Sequence, residues 1–265
     1  MSECDCFKGT CGDRNYQPAG AVNQLDGFHV YQTKARADTQ SKGHILILPD
    51  GFGLAIHNII LADKFATYGY DVSILDYYQG KALPDIFLEY TPGTDLDNSD
   101  RFTEEEKSII RGVDLERWAR ENNPEMVHKQ VVPFVEKLKE SLGPTNKLYL
   151  VGHCFGGVQA FELANKVELS TAIVILHPAP YKLHGVNAFR VPLFIGLAES
   201  DQFAPNAPQD ISQAFATTSV YYKIAIYGGT KHGFASRADL NDELARKAYD
   251  SSIRDTMDWI NHFSD

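Results

Sequence analysis

Four cysteines occur in the 265 residues, and three of them, Cys4, Cys6 and Cys11, crowd the first eleven positions. The fourth, Cys154, stands in LYLVGHCFGG, where an apolar run meets a glycine pair. The pattern G-x-[nucleophile]-x-G-G directly after a buried strand marks a sharp strand-to-helix turn that presents a nucleophile, here sulfur in place of oxygen. Gly152, Gly156 and Gly157 supply the room such a turn needs, because the following helix packs closely on the strand. The helix N-terminus lowers the thiol's pKa and offers the Phe155 backbone N–H to a developing oxyanion. A nucleophile of this kind needs a base and a group that orients the base. Asp201, in LFIGLAESDQFAP, and His232, in the glycine-flanked YGGTKHGF, each lie just past an apolar run. Singly, these are a buried cysteine, a solvated loop carboxylate and a turn histidine. Jointly they form a triad in the order nucleophile, acid, base.

The elements that must carry this triad are legible as alternating short apolar runs and amphipathic segments. Strands are expected at 28–34 (an antiparallel edge strand), 44–49, 70–78, 147–152, 171–177, 191–200 and 219–227. Helical spacing runs from Ile56 to Phe65 and is closed by Gly69. Thr103 and Glu106 make a capping box that opens a helix through Trp118. Another helix starts at Asn123-Pro124 with Val127, Val131, Phe134, Val135 and Leu138 on one face, and Pro133 is expected to kink it. The last helix carries Tyr249, Ile253, Met257, Ile260 and Phe263. Strand and helix alternating in this way predict a single α/β domain over 21–265, with a mostly parallel, doubly wound sheet and helices on both faces. Residues 1–20 form an N-terminal extension. The Pro-, Gly- and Asp-rich stretch 79–102 is too long for a routine connection and is expected to be a lid over the site.

Composition narrows the function. A net charge of −10 argues against nucleic acid and anionic membrane surfaces as partners. No apolar run approaches the roughly 20 residues of a membrane span. The first residues, MSECDCFKGTCG, lack the basic and apolar regions of a secretory signal, so a reduced, cytoplasmic setting is expected. Structural zinc wants four ligands in paired units, and no second pair follows Cys4, Cys6 and Cys11, so no metal and no cofactor is expected. His29, His57, His128 and His184 read as surface or loop histidines.

GHCFGG around Cys154, ESDQFAP around Asp201, KHGFASR around His232, PDGFG after the first parallel strand and HP at His177-Pro178 together resemble the dienelactone hydrolase (carboxymethylenebutenolidase) family, in particular its fungal branch. The resemblance implies an α/β-hydrolase domain with a metal-free Cys-His-Asp triad, and an oxyanion hole made by the backbone N–H groups of Phe155 and Gly51. It also implies substrate contacts from Asp50, Phe52 and Arg237, the last gripping a substrate carboxylate. The alternative for Arg237 is a surface pair with Asp239 or Asp242. Two departures stand out. The acid of PDGFG is commonly a glutamate that contacts the resting thiol, whereas here it is Asp50. The family often carries an arginine near F-R-G, where this chain has Tyr78-Gln79-Gly80-Lys81. The expected activity is hydrolysis of an activated ester or lactone, dienelactone-like or polyketide-derived, through a cysteine thioester. The partner is a small molecule, and the oligomeric state is monomer or homodimer. Two alternatives stay open: a retired hydrolase that binds a small molecule or a partner, and a lactone-forming or ring-opening enzyme of secondary metabolism. A glutamine amidotransferase would need a glutamate two residues after the histidine, and His232-Gly233-Phe234 lacks it.

Overall fold

Every apolar run expected as a strand enters one eight-stranded sheet in the computed structural model, which describes residues 9–10, 12–35, 40–91, 93–179, 181, 183 and 185–264. The strands are β1 (Ala21–Leu25), β2 (Phe28–Thr33), β3 (His44–Leu48), β4 (Asp71–Leu75), β5 (Leu148–His153), β6 (Ala172–Leu176), β7 (Leu193–Ser200) and β8 (Tyr222–Lys231). They lie in the order β1-β2-β4-β3-β5-β6-β7-β8. From β4 to β8 all pairs are parallel, and β2 joins β4 antiparallel.

β2 is therefore not the edge strand that its sequence suggested. β1 lies outside it, joined through Asp26 and Gly27, both at positive φ (51° and 85°). Asp-Gly is a favoured pair for such a two-residue hairpin turn. The strand itself, AVNQL, is almost wholly exposed and has no apolar face to betray it.

The sheet core follows from strand alternation, since successive side chains point to opposite faces. Ile45 and Ile47 of β3 face one side with α1 (Ile56–Ala66) and α7 (Glu243–His262). Leu46 and Leu48 face the other with α4 (Pro124–Leu142), α5 (Phe155–Leu163) and α6 (Ala207–Phe215). α4 runs through Pro133, whose ring lies on the exposed face, so the missing amide hydrogen bond falls on the solvent side.

The helix expected from Thr103 through Trp118 is two helices. The capping box forms, but α2 (Glu104–Gly112) stops where Val113 turns extended, and Asp114 caps a new helix, α3 (Leu115–Glu121), by accepting from the Arg117 N–H. An aspartate inside a helical pattern competes for backbone donors, and here it restarts the helix.

The stretch 79–102 is anchored rather than loose. Leu83, Ile86, Phe87, Leu88 and Phe102 are buried in a third apolar cluster with Phe52 and Ile110, and Asp85–Leu88 makes a 3-10 turn. Among the described residues no helix is long and apolar enough to cross a membrane.

Candidate active site

β5 runs straight into Cys154, which sits at φ 52° and ψ −115° as the residue before α5. A non-glycine residue held there costs about 1–3 kcal/mol, and it persists because its surroundings over-determine it. The Cys154 N–H donates to the Leu176 carbonyl (3.0 Å), and its own carbonyl accepts from Gly157 (3.0 Å) and Ala179 (3.3 Å). A side chain on Gly152 would collide with the Gly156 carbonyl, and one on Gly156 with the Leu48 carbonyl. The glycines thus let α5 press against β5 and β3, which aims the thiol outward at the helix head.

Two neighbouring strands deliver the other two candidate residues. Asp201 follows β7 by one residue and His232 follows β8 by one residue. The His232 Nδ1–H donates to Asp201 Oδ2 at 2.7 Å, and Asp201 Oδ1 accepts from the Phe203 N–H at 3.0 Å. This pairing leaves Nε2 as the ring nitrogen that Asp201 does not engage. It meets no hydrogen-bond partner of normal geometry among the described residues, but the ring is coupled to the Cys154 thiol. Resting catalytic hydrogen bonds are often long and tighten only with substrate bound.

The charges favour a thiolate–imidazolium pair. Burial pushes the Cys154 thiol up, but the nearby His232 charge, together with Arg237, outweighs it and brings the thiol below its ordinary value. Burial pushes His232 down, while the Cys154 charge and the Asp201 hydrogen bond prevail and raise it. Iodoacetamide should therefore alkylate Cys154 rapidly at pH 6.5, where an ordinary thiol is only about 1% ionised. His232→Gln should slow this at least about tenfold at that pH, because burial would then be opposed by the Arg237 charge without the larger help of His232. Peptide-resolved mass spectrometry across pH reads both effects, and an unchanged profile in the variant would count against the pair.

A cavity of about 300 Å³ opens over the thiol. Gly51, Phe52, Phe155 and Arg237, all anticipated from sequence, line it beside Cys154, as do Ala179 and Phe203. The remaining wall is Leu115, Trp118, Ala119 and Asn122 of the α3 region with Pro124. These are residues without reactive groups, so nothing in their types flagged them. The stretch 79–102 contributes no lining residue. It holds α3 from behind, where the Trp118 Nε1–H donates to the Lys81 carbonyl at 2.9 Å. The first-turn N–H of Phe155 and the N–H of Gly51 donate no backbone hydrogen bond among the described residues.

The structure places Asp50, expected as a substrate contact, away from the cavity wall. It is fully buried. Oδ1 accepts from the Phe52 N–H (3.1 Å) and Asn58 Nδ2 (2.9 Å). Oδ2 accepts from His57 Nε2 (3.1 Å), Ser236 Oγ (3.1 Å) and Arg237 Nη1 (2.9 Å). A carboxylate has about four acceptor sites, so its capacity is used up. Burial pushes the acid up, but His57, Arg237 and Asn58 hold it well below the usual carboxylate range.

Arg237 is at the wall as expected, yet it pairs with neither Asp239 nor Asp242. It is buried, bound to Asp50 and stacked 5.6 Å from the Phe52 ring centroid. His57 is likewise no surface histidine but a buried partner of Asp50. His29 is exposed, and His128 is half-buried with Nδ1 3.3 Å from Gln159. His184, Cys4, Cys6 and Cys11 lie outside the described residues. Among those described, no cluster of histidine, cysteine, aspartate or glutamate is arranged to hold a metal ion.

Two further histidines were missed as site neighbours, although His177 had been noted beside Pro178. His177 packs edge-on against His232 with centroids 4.9 Å apart, and His153 lies 5.8 Å beyond it. Both are fully buried, and their ring nitrogens have no hydrogen-bond partner among the described residues. Burial pushes His153 down to about 4. It pushes His177 down as well, reinforced by the His232 charge.

This strand order, with helices on both faces and the elbow at the end of β5, defines an α/β-hydrolase. Residues 26–264 match the model of the dienelactone hydrolase family, and the chain belongs to that family of hydrolases. It is 27% identical to the hydrolase pyvD of Aspergillus violaceofuscus, over 99% of this chain and 96% of that protein. It is 22% identical to dienlactone hydrolase 1 of Gibberella moniliformis, over 96% of this chain and 91% of that one. A solved dienelactone hydrolase-like promiscuous phosphotriesterase from metagenomic libraries has the same fold, with a TM-score of 0.62 and 16% identity over 91% of this chain and 96% of its own.

Proposed function

We propose that this hydrolase cleaves activated esters or lactones through a thioester on Cys154. The observation that carries the reading is a thiol at the head of α5, beneath a cavity, coupled to a histidine whose far nitrogen is 2.7 Å from a carboxylate. Cys154 Sγ attacks the carbonyl carbon, and the resulting oxyanion accepts from the N–H groups of Phe155 and Gly51. Collapse breaks the C–O bond, and the His232 imidazolium gives its proton to the departing oxygen. In a lactone that oxygen stays tethered to the acyl chain. His232, again neutral, then takes a proton from water as it attacks the thioester. The second tetrahedral species expels the thiolate and releases the acid. Asp201 keeps the imidazole in the tautomer that both halves need.

Sulfur selects the substrate class. A thiolate leaves more readily than an amine, so attack on an amide reverts, whereas an enol or aryl oxygen leaves before the thiolate does. The same thiol chemistry fits the reducing cytoplasm, where Cys154 stays unoxidised. Rapid acid quenching during p-nitrophenyl ester turnover should give an intact mass raised by one acyl group, located on the Cys154 peptide. Turnover with the acyl group on another residue would overturn the thioester.

A further inference from the structure

We infer that the acyl group accepted here is uncharged, flat and aromatic, seated against Trp118 beside the oxyanion loop. This specifies the substrate class of the hydrolase reading and rests on it. The cavity is at the small end for a ligand site, and aromatic side chains dominate its wall: Phe52, Trp118, Phe155 and Phe203.

Trp118 is the best placed of these. A Cβ built on Gly51 would lie only 3.3 Å from Trp118 Cη2, so the indole edge runs along the backbone of one proposed oxyanion donor. A substituent conjugated to the reacting carbonyl must therefore pass over the indole. The ring is fixed for that task. Its Nε1–H is bound to the Lys81 carbonyl, and Tyr78 backs it with centroids 5.4 Å apart. A rigid, half-buried indole favours a planar partner over a puckered one of equal size, because it can stack on the planar one.

The charge argument is independent of shape. Among the described residues, Cys154 and the already bound Trp118 N–H aside, the lining residues with polar side chains are Asn122 and Arg237. Asn122 Nδ2 donates to the Trp118 carbonyl, which closes α3. Arg237 is bound to an Asp50 carboxylate held ionised by its surroundings, and its face is stacked on Phe52. The pair is neutral as a unit. A carboxylate on the far end of an acyl group would lose its water among aromatic rings and compete with Asp50 for the one guanidinium at the wall.

The test uses binding as well as turnover. In the full-length Cys154→Ala protein, calorimetry should show methyl 2-naphthoate binding at least about tenfold tighter than its 6-carboxy analogue. In the unaltered enzyme, p-nitrophenyl benzoate should exceed p-nitrophenyl 4-carboxybenzoate in kcat/KM by a similar factor, and should also exceed p-nitrophenyl cyclohexanecarboxylate. Trp118→Ala should erase the advantage of benzoate over cyclohexanecarboxylate, whatever it does to overall rate. Equal or tighter binding of the carboxylated ligand overturns the charge argument. An aromatic advantage that survives Trp118→Ala overturns the role of the indole. If no ester is turned over while the binding preference holds, the hydrolytic reading fails and the ligand class stands.

Discussion

Cys154→Ala is expected to fold normally and to lose ester and lactone turnover by at least about 10⁴-fold in kcat. The fold should survive because the side chain is small, half-buried and at the cavity floor, where its loss removes one atom from contact. The backbone hydrogen bonds that set the turn come from main-chain groups and are untouched. Cys154→Ser should be nearly as poor. The His232 environment is built around a group that ionises next to an imidazolium, and a hydroxyl does not do so at neutral pH. Circular dichroism and steady-state kinetics on both variants check this. Substantial turnover in a well-folded Cys154→Ala protein would remove the cysteine from the chemistry.

The second large effect falls on stability. Asp50→Ala should destabilise the protein by about 3–5 kcal/mol, as for loss of one partner in a buried ion pair. Arg237 would remain charged in the interior, and Asn58, Ser236 and the Phe52 N–H would each lose an acceptor. Those donors belong to α1, to the loop after β3 and to the loop after His232, so one carboxylate ties three segments around the cavity together. The folded acid lies well below its ordinary value. Its contribution is therefore complete above the unfolded value of about 3.9 and is lost as pH falls through the folded one. Urea titrations at neutral pH measure the loss, and a cost below about 1 kcal/mol would show that the loops hold themselves.

How much of this was legible in the chain depends on how far apart the cooperating residues lie. The juxtaposition of Cys154, Asp201 and His232 was readable because each follows its own apolar run, and the turn at Cys154 demands glycines within a few residues. Parallel strands buried on both faces advertise themselves as unbroken apolar runs, as HILIL and AIVIL do. β1 did not, because an exposed edge strand needs no apolar face, and its only local mark was Asp26-Gly27. The break at Asp114 was hidden because apolar spacing continues on both sides of it. The Asp50–Arg237 pair spans 187 positions, and nothing local distinguishes a committed arginine from one awaiting a substrate. The wall of α3 was missed for a related reason, since leucine, tryptophan and alanine announce burial without saying what they will cover.

The row of imidazoles behind His232 sets an acid limit on the stability of the fold. His153 and His177 stay uncharged inside the fold but take up protons once unfolded, at about pH 6.5 and below. Acidification through that point therefore rewards the unfolded chain with protons that the folded chain refuses, and His44, also pushed down to about 4 by burial, adds to the imbalance. An acidic solution would thus weaken the folded state through these three buried imidazoles, and the interior that surrounds His232 also limits how sour a solution the fold tolerates.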